Sequence, residues 1–527
     1  MRARGNCFMR ILFIVIITVA MLTGCSIQTM PKQSSAVSDM NRHKVVVIVV
    51  DSLMDRSIRA AMNDKQFAAI RYLMSHGHYL SDVVASFPSM SVSDLSTVVT
   101  GSYPEEHHIP GLVWFDTSRG TIVNYGNNLW QTITLGTRSV SQSALYDLNQ
   151  THLSKGVHTI FEDLQGAGYS TGAINMLVYR GRTPHQLTLP LYTRPFAGTG
   201  TYTVRGPDTF VLGQLTSQGV GRSKDGMFNK FGLNDDYATD ELVQLIKQGK
   251  LPDFTMVYLP NNDTVVHKHG VNAMQGIADV DKNLQKILST YGSWDKTLQS
   301  MTLIVMGDGG VTQVFPKGRQ PTIFLKNVFS NYVPHRWGKK MKSNDDVAFA
   351  VNSRMAYVYL LSGRIRPDDV VKQLKQEKRI DVIAWTDGSN VFVTRPENTA
   401  SPLVFHKDGP FTDPYGQKWN IQGDQSLLDM SMGPDRTITY GKYPDALHQL
   451  WSAAHCQKGR YMIVTAKKGY QFGDENAPKH NGGAQQASLI DDDVFAPIII
   501  NGTNHVLKEP SRFVDLKKYF ISIVRSP

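Results

Sequence analysis

Cysteine is almost absent from this chain. Its 527 residues include three, Cys7, Cys25 and Cys456, so no disulfide framework and no cysteine metal site can form within one chain. Long apolar runs are scarce as well. The longest, "ILFIVIITVAML", has twelve residues; that is short of the roughly 20 that span a bilayer and is the right length for a signal h-region. No dense block of lysine and arginine occurs, although the net charge is +10, so binding to a nucleic-acid scaffold has little support. Three of those charges, Arg2, Arg4 and Arg10, lie in the first ten residues; the remainder suits an anionic envelope or anionic substrates. With 41% hydrophobic and 19% charged residues, the composition is that of an ordinary globular protein. Oligomeric state leaves no mark in the sequence.

The basic "MRARGNCFMR" and the apolar run lead into Leu22-Thr23-Gly24-Cys25. This resembles the lipobox of bacterial lipoproteins, which implies cleavage before Cys25, a lipid on that residue and attachment to the outer side of the cell membrane. A plain signal anchor is the alternative. Residues 1–24 then read as signal peptide and 25–43 as a polar tether without periodicity.

From Lys44 the pattern changes. "KVVVIVV" is an unbroken β-branched run ending at Asp51, as a central parallel strand covered on both faces requires. Similar runs recur at 169–177, 254–260, 301–308, 461–466 and 494–500, with helical spacing between several of them. Such alternation predicts an α/β fold, a three-layer αβα sandwich with a mostly parallel central sheet. The core is expected to comprise 44–319 and 456–527, with 320–455 as a small α+β insertion in which "MGPDRTITYGKYPD" is a loop. Ligands gather at the carboxyl ends of parallel strands, which singles out Asp51 and Asp308.

"NNDTVVHKHG" sets Asp263 and His267 four residues apart, on one face if the chain is helical there; His269 falls on another face. A carboxylate beside an imidazole suits zinc or manganese, and His480 in "PKHNGGAQQ" could be a third ligand. Taken singly, each is as readily surface chemistry or packing. "FPSMSVSDLSTVVTGSYPEEHHIPG" (87–111) offers Ser91 at a helix start. Its bland reading is the Ser-x-x-Asp capping pattern with Asp94. Its chemical reading is a nucleophile beside free backbone N–H groups.

Taken in order, Asp51, "FPSMSVSD…TGSYPEEHHIPG", "DTVVH", "MGDGG" and "KHNGG" resemble the alkaline phosphatase superfamily, most closely its type I phosphodiesterase/nucleotide pyrophosphatase branch. That branch carries Thr-Gly-x-Tyr-Pro-x-x-His-Gly-Ile after its nucleophile. The resemblance implies a metal-dependent phosphoric ester hydrolase, acting on phosphodiesters or monoesters through a phospho-enzyme. It implies Ser91 as nucleophile and metal ligand, and Asp263, His267 and His480 as ligands of a zinc ion. Asp51 and Asp308 would hold a second divalent ion, and two such ions clamp an in-line displacement. Two positions depart from the pattern. Gly309 stands where the family has a histidine ligand, which leaves zinc, manganese, magnesium or calcium open at the second site. Thr312 or Gln313 could substitute, and a histidine placed at 309 is expected to restore affinity. Asp94 replaces an asparagine that steadies a phosphate oxygen, so a substrate-binding role there sets a carboxylate against a phosphate. His107 matches the family's histidine before Gly-Ile, with a structural role at the turn preferred to substrate contact, and His108 replaces the glycine. A sulfatase is disfavoured because Val-Ser-Asp-Leu follows Ser91, and a lipid-modifying transferase because membrane spans are lacking. A catalytically impaired surface-binding lipoprotein is the remaining alternative. Specificity is expected to lie in 320–455 and near "VYRGRTPHQ".

Overall fold

Along the first strand, β1 (Lys44–Val50), every residue is buried, and alternate side chains enter different cores. Val45, Val47 and Val49 join a cluster containing Leu95, Val98 and Phe520. Val46, Ile48 and Val50 join another containing Ile58, Leu73 and Leu284. The period-2 alternation of a strand thus places one helical layer on each face. Full burial of each such side chain contributes on the order of 2 kcal/mol. The computed structural model describes residues 42–126, 138–189, 200–216, 232–474 and 477–526; the signal segment, Cys25 and nearly all of the tether lie outside them.

The central sheet also contains β2 (His78–Val84), β3 (Thr171–Ile174), β4 (Thr209–Val211), β5 (Phe254–Leu259), β6 (Met301–Gly307) and β7 (Phe495–Asn501). Its seven strands run in the order β2-β7-β6-β1-β5-β3-β4. β1 pairs in parallel with β6 and β5, and β3 in parallel with β5 and β4. The sheet is therefore mostly parallel, as its apolar runs predict. β7 is antiparallel to β6 and β2. It leaves a short helical turn, Asp491–Val494, at the carboxyl end of β6 and must run back down the sheet. β2 and β4 escaped the sequence reading. β2 lies at an edge with exposed and buried residues mixed, and β4 has three residues.

A second, seven-stranded sheet follows the order 347–352, 355–360, 461–466, 380–386, 391–394, 403–412, 418–422, antiparallel throughout. Strand Tyr461–Ala466 was expected in the central sheet. It lies here because its unbroken apolar run reports coverage of both faces, not parallel pairing. Tyr461 and Ile463 face one core and Met462, Val464 and Ala466 another. The second sheet therefore draws on residues beyond the expected boundary at 455. Ser38–Pro527 clusters as one unit. The presumed loop 432–445 contains half of a small hairpin, Met430–Met432 with Ile438–Tyr440.

Both sheets converge on helix α1 (Ser91–Thr100) and the loop before it. Phe87 and Met90 belong to the core of the second sheet, while α3 (Phe513–Arg525) covers α1 from the central-sheet side. Asp493 joins the parts. Its carbonyl accepts from Ser89 Oγ at 2.9 Å and from Gly310 N at 2.8 Å. Its carboxylate accepts from Thr312, from Ser488 N at 2.8 Å and from Arg354 Nη1 at 2.5 Å. The Arg354–Asp493 pair has no solvent exposure. Replacing Arg354 by methionine leaves that buried carboxylate without its guanidinium. Stability should fall by about 3–5 kcal/mol, read as the urea unfolding midpoint.

After α1, His107 fixes a turn. Ile109 N donates to His107 Nδ1 at 3.1 Å, so its Nε2 carries the proton and faces Thr97 Oγ1 at 3.1 Å. This agrees with the structural role preferred for it. His108 adopts φ 64°, the left-handed conformation in which a glycine is at ease. Burial, then the charge of His108, pushes the His107 imidazole down to about 3. A group depressed in the folded state stabilises fully above its unfolded pKa near 6.5 and loses that contribution as pH falls towards 3. The slope is about 1.4 kcal/mol per pH unit. In His107→Gln the loss of stability between pH 7 and pH 5 should shrink by about 2 kcal/mol, measured by urea titration at both pH values.

Candidate active site

β1, β5 and β6 end level with one another, and the chain sets an acid just past each end. Asp51 follows β1, and its N–H donates to Leu259 O at 3.0 Å. Asp308 follows β6. Asp263 lies in the first turn of α2 (Asn261–His269), which opens two residues beyond β5. Ser52, at φ 57°, links all three: its N–H donates to Asp308 Oδ1 at 2.9 Å, and its hydroxyl lies 2.9 Å from Asp263 Oδ1 and 3.4 Å from Asp51 Oδ1. Tyr258 donates to Asp51 Oδ2, with Asp308 Oδ2 3.3 Å from the same hydroxyl. Asn262 Nδ2 donates to the carbonyls of Asp51 and Ser52 at 2.9 and 3.1 Å. Ser52, Tyr258 and Asn262 were missed from sequence. The available signal was their placement, a serine directly after a strand-end acid and a tyrosine inside an otherwise aliphatic strand end.

Burial, then repulsion from Asp263 and Asp308, raises Asp51 well above the ordinary carboxylate range. Burial likewise lifts Asp308, to about 6, against the hydrogen bonds of Ser52 and Ser91. Burial also acts on Asp263, but the neighbouring His267 outweighs it and holds that carboxyl below its usual value. Among the described residues no lysine, arginine or histidine forms an ion pair with Asp51, Asp94 or Asp308.

The helical spacing of Asp263 and His267 holds. They share one face of α2, with His267 Nε2 2.8 Å from Asp263 Oδ1. His267 Nδ1–H donates to Ala484 O at 2.5 Å, which orients the ring. His480 stacks on His267, centroids 4.4 Å apart. Burial, then the charge of His267, pushes His480 down to about 4, so its ring is neutral at pH 7. The three residues meet, yet as they stand no group of three His, Cys, Asp or Glu side chains among the described residues is arranged to hold a metal ion. Asp263 and His267 are paired to each other, and His480 faces a ring. The donor types fit a divalent ion; holding one requires the Asp263–His267 hydrogen bond to open.

Ser91 is the first residue of α1, and the residue before it, Met90, makes no side-chain cap. The Ser-x-x-Asp capping box does not form. Asp94 instead reaches back to Ser86, accepting at Oδ1 from its N–H at 2.9 Å and its hydroxyl at 2.7 Å. That frees the Ser91 hydroxyl, which stabilises the ionised forms of Asp308 and Tyr258 beside it. Asp51, Ser91, Asp263, His267 and His480 all line one cavity of about 510 Å³. Its wall continues through Val92, Leu112, Leu148, Leu177 and Leu233, with Lys268 and Lys479 also on it. Asp94 was expected to contact substrate; it has no solvent exposure and is not among the residues that line this cavity.

Gly309 is held at φ 144°, and a Cβ there would stand 2.5 Å from Ser89 Oγ. A histidine at 309 is therefore strained by the backbone conformation and needs the Ser89 hydroxyl to move, which weighs against the expectation that it restores a ligand. Thr312 and Gln313 do not replace it: Thr312 donates to Asp493, and Gln313 Nε2 to Gly482 O at 2.8 Å. In "VYRGRTPHQ", Arg180 is held by Leu153 O, Ser154 O and Glu162, and Leu177, just before that stretch, lines the cavity. The 320–455 region contributes Ser353 to the cavity.

Comparisons with known proteins bear on the family and the fold. Residues 45–414 match the family described as type I phosphodiesterase/nucleotide pyrophosphatase. No curated protein sequence matches. An inactive variant of murine ectonucleotide pyrophosphatase/phosphodiesterase 5 in complex with AMP is 13% identical, with a TM-score of 0.54, covering 92% of this chain and 95% of that one. Phosphonoacetate hydrolase from Sinorhizobium meliloti 1021, bound to phosphonoformate, is 14% identical at a TM-score of 0.54, covering 92% and 96%. At these identities the structures speak for the fold. The match over most of the chain decides the family: this protein belongs to the type I phosphodiesterase/nucleotide pyrophosphatase family of phosphoester hydrolases, within the alkaline phosphatase superfamily.

Proposed function

We propose that the chain is a divalent-metal-dependent phosphoric ester hydrolase with Ser91 as its nucleophile. The observation that carries this reading is the convergence of Asp51, Asp263 and Asp308 at three strand ends, joined through Ser52, with Asp51, Asp263, Ser91, His267 and His480 lining one cavity. Buried acids this close cannot all ionise without counter-charge, and divalent ions supply it. Asp263, His267 and His480 would hold one ion, a mixed oxygen and nitrogen set that suits zinc. Asp51, Asp308 and Ser91 would contribute to a second site. Bound ions would neutralise the phosphate and lower the pKa of a coordinated hydroxyl or water.

The residues divide the remaining work. The N–H groups at the start of α1 precede its first internal bond, Asp94 N to Met90 O at 2.9 Å. They and the helix dipole suit a phosphate oxygen. Ser91 Oγ attacks phosphorus, the ester oxygen leaves and takes up a proton, and water then releases phosphate from Ser91. Lys268 and Lys479 favour an anionic substrate, and the leucine-lined wall accepts the organic part of the ester. We further propose that the signal segment 1–24 is removed and that a lipid on Cys25 holds the enzyme outside the membrane through the 25–43 tether. That part rests on the sequence; among the described residues no helix is long and apolar enough to cross a membrane.

Ser91→Ala should lower hydrolysis of bis(p-nitrophenyl) phosphate and p-nitrophenyl phosphate by about 1,000-fold or more with an unchanged thermal midpoint. Wild-type rates in that variant would refute the nucleophile. Chelator treatment should abolish turnover, and zinc or manganese should restore it in the wild type but far less in His267→Ala, read as initial rate against metal concentration.

A further inference from the structure

The departures at Asp94 and Gly309, 215 residues apart in sequence, meet in space. Asp94 Oδ2 stands 3.5 Å from where a Cβ of Gly309 would be. The Asp94 carboxyl group is without solvent exposure, and its Oδ2 has no hydrogen-bond partner. Ser86 satisfies Oδ1 alone; the Ser89 hydroxyl is near enough to favour the ionised form of Asp94 but donates to Asp493 O at 2.9 Å. A buried carboxylate oxygen left open in this way is costly unless something binds it. Asp94 lies three residues after Ser91 on α1, so the two share a helix face, and it is close enough to Asp308 for their charges to repel. Space that a side chain at 309 would occupy is thus bordered by an oxygen donor from the neighbouring helix.

We propose that Asp94 supplies, through Oδ2, the side-chain ligand that Gly309 does not, completing a second cation site with Asp51, Asp308 and Ser91. The inference rests on the metal-dependent reading above. It adds that the second site is all oxygen and therefore selects a hard cation, manganese or magnesium over zinc. It also explains why an aspartate is tolerated beside a phosphate site. The carboxylate faces the cation, and its charge is taken up there.

The test is manganese binding to the full-length chain after chelation and dialysis, followed by calorimetry and by the electron paramagnetic resonance signal of free Mn²⁺. The wild type should bind two ions per chain. Asp94→Asn keeps an oxygen for Ser86 and nearly the same volume, so it should fold, checked by its thermal midpoint in chelator. It should bind one ion, with affinity at the lost site reduced at least tenfold. Asp94→Ser should behave alike and serves if the amide perturbs folding. His267→Ala should lose the other ion and leave the Asp94 site. Two ions of unchanged affinity in both Asp94 variants would overturn the proposal and leave the proposed function intact. No manganese bound by the wild type would overturn both.

Discussion

Three parallel strands that end at the same level impose the central constraint on this structure. β1, β5 and β6 are hydrogen-bonded in register, so an acid just past each end has little choice but to meet the others. Hydrophobic burial of the strands holds like charges together in a low-dielectric place, and the polar groups around them soften the repulsion. Ser52 and Tyr258 share their hydrogen bonds among the acids, and His267 neutralises Asp263. The pocket is thus polarised by construction. One side, towards α2, carries nitrogen donors; the other, beneath α1, carries carboxylates and a serine hydroxyl.

Asp493 connects this chemistry to the second sheet. By binding Ser89 and Gly310 through its carbonyl, and Arg354 through its carboxylate, it fastens the loop before Ser91 to the loop after Asp308. The second sheet touches the cavity sparingly, yet its core encloses Phe87 and Met90. Its contribution to the site is to position α1, more than to contact a substrate.

Much of this was legible from residue order. The unbroken runs at 44–50, 254–260 and 301–308 announced central strands because a strand covered on both faces needs no polar side. The same rule misplaced 461–466, since an antiparallel strand between two cores has the same requirement. The helical spacing of Asp263 and His267 needed only the α-helical repeat. Short or half-exposed strands such as β4 and β2 left no comparable periodicity.

The sequence by itself determined the central strands and which acids stand at their ends, because apolar periodicity and strand-end placement are local properties. The membership of the type I phosphodiesterase family follows from the order of those motifs. Tertiary structure decided which groups face one another. Asp94 looked like a helix cap or a misplaced phosphate contact until the fold set its free oxygen beside Gly309. The φ of Gly309, the diversion of Thr312 to Asp493 and the turn made by His107 likewise depend on partners far away in the chain. Such pairings arise from packing α1 against the sheet, and no local pattern encodes them.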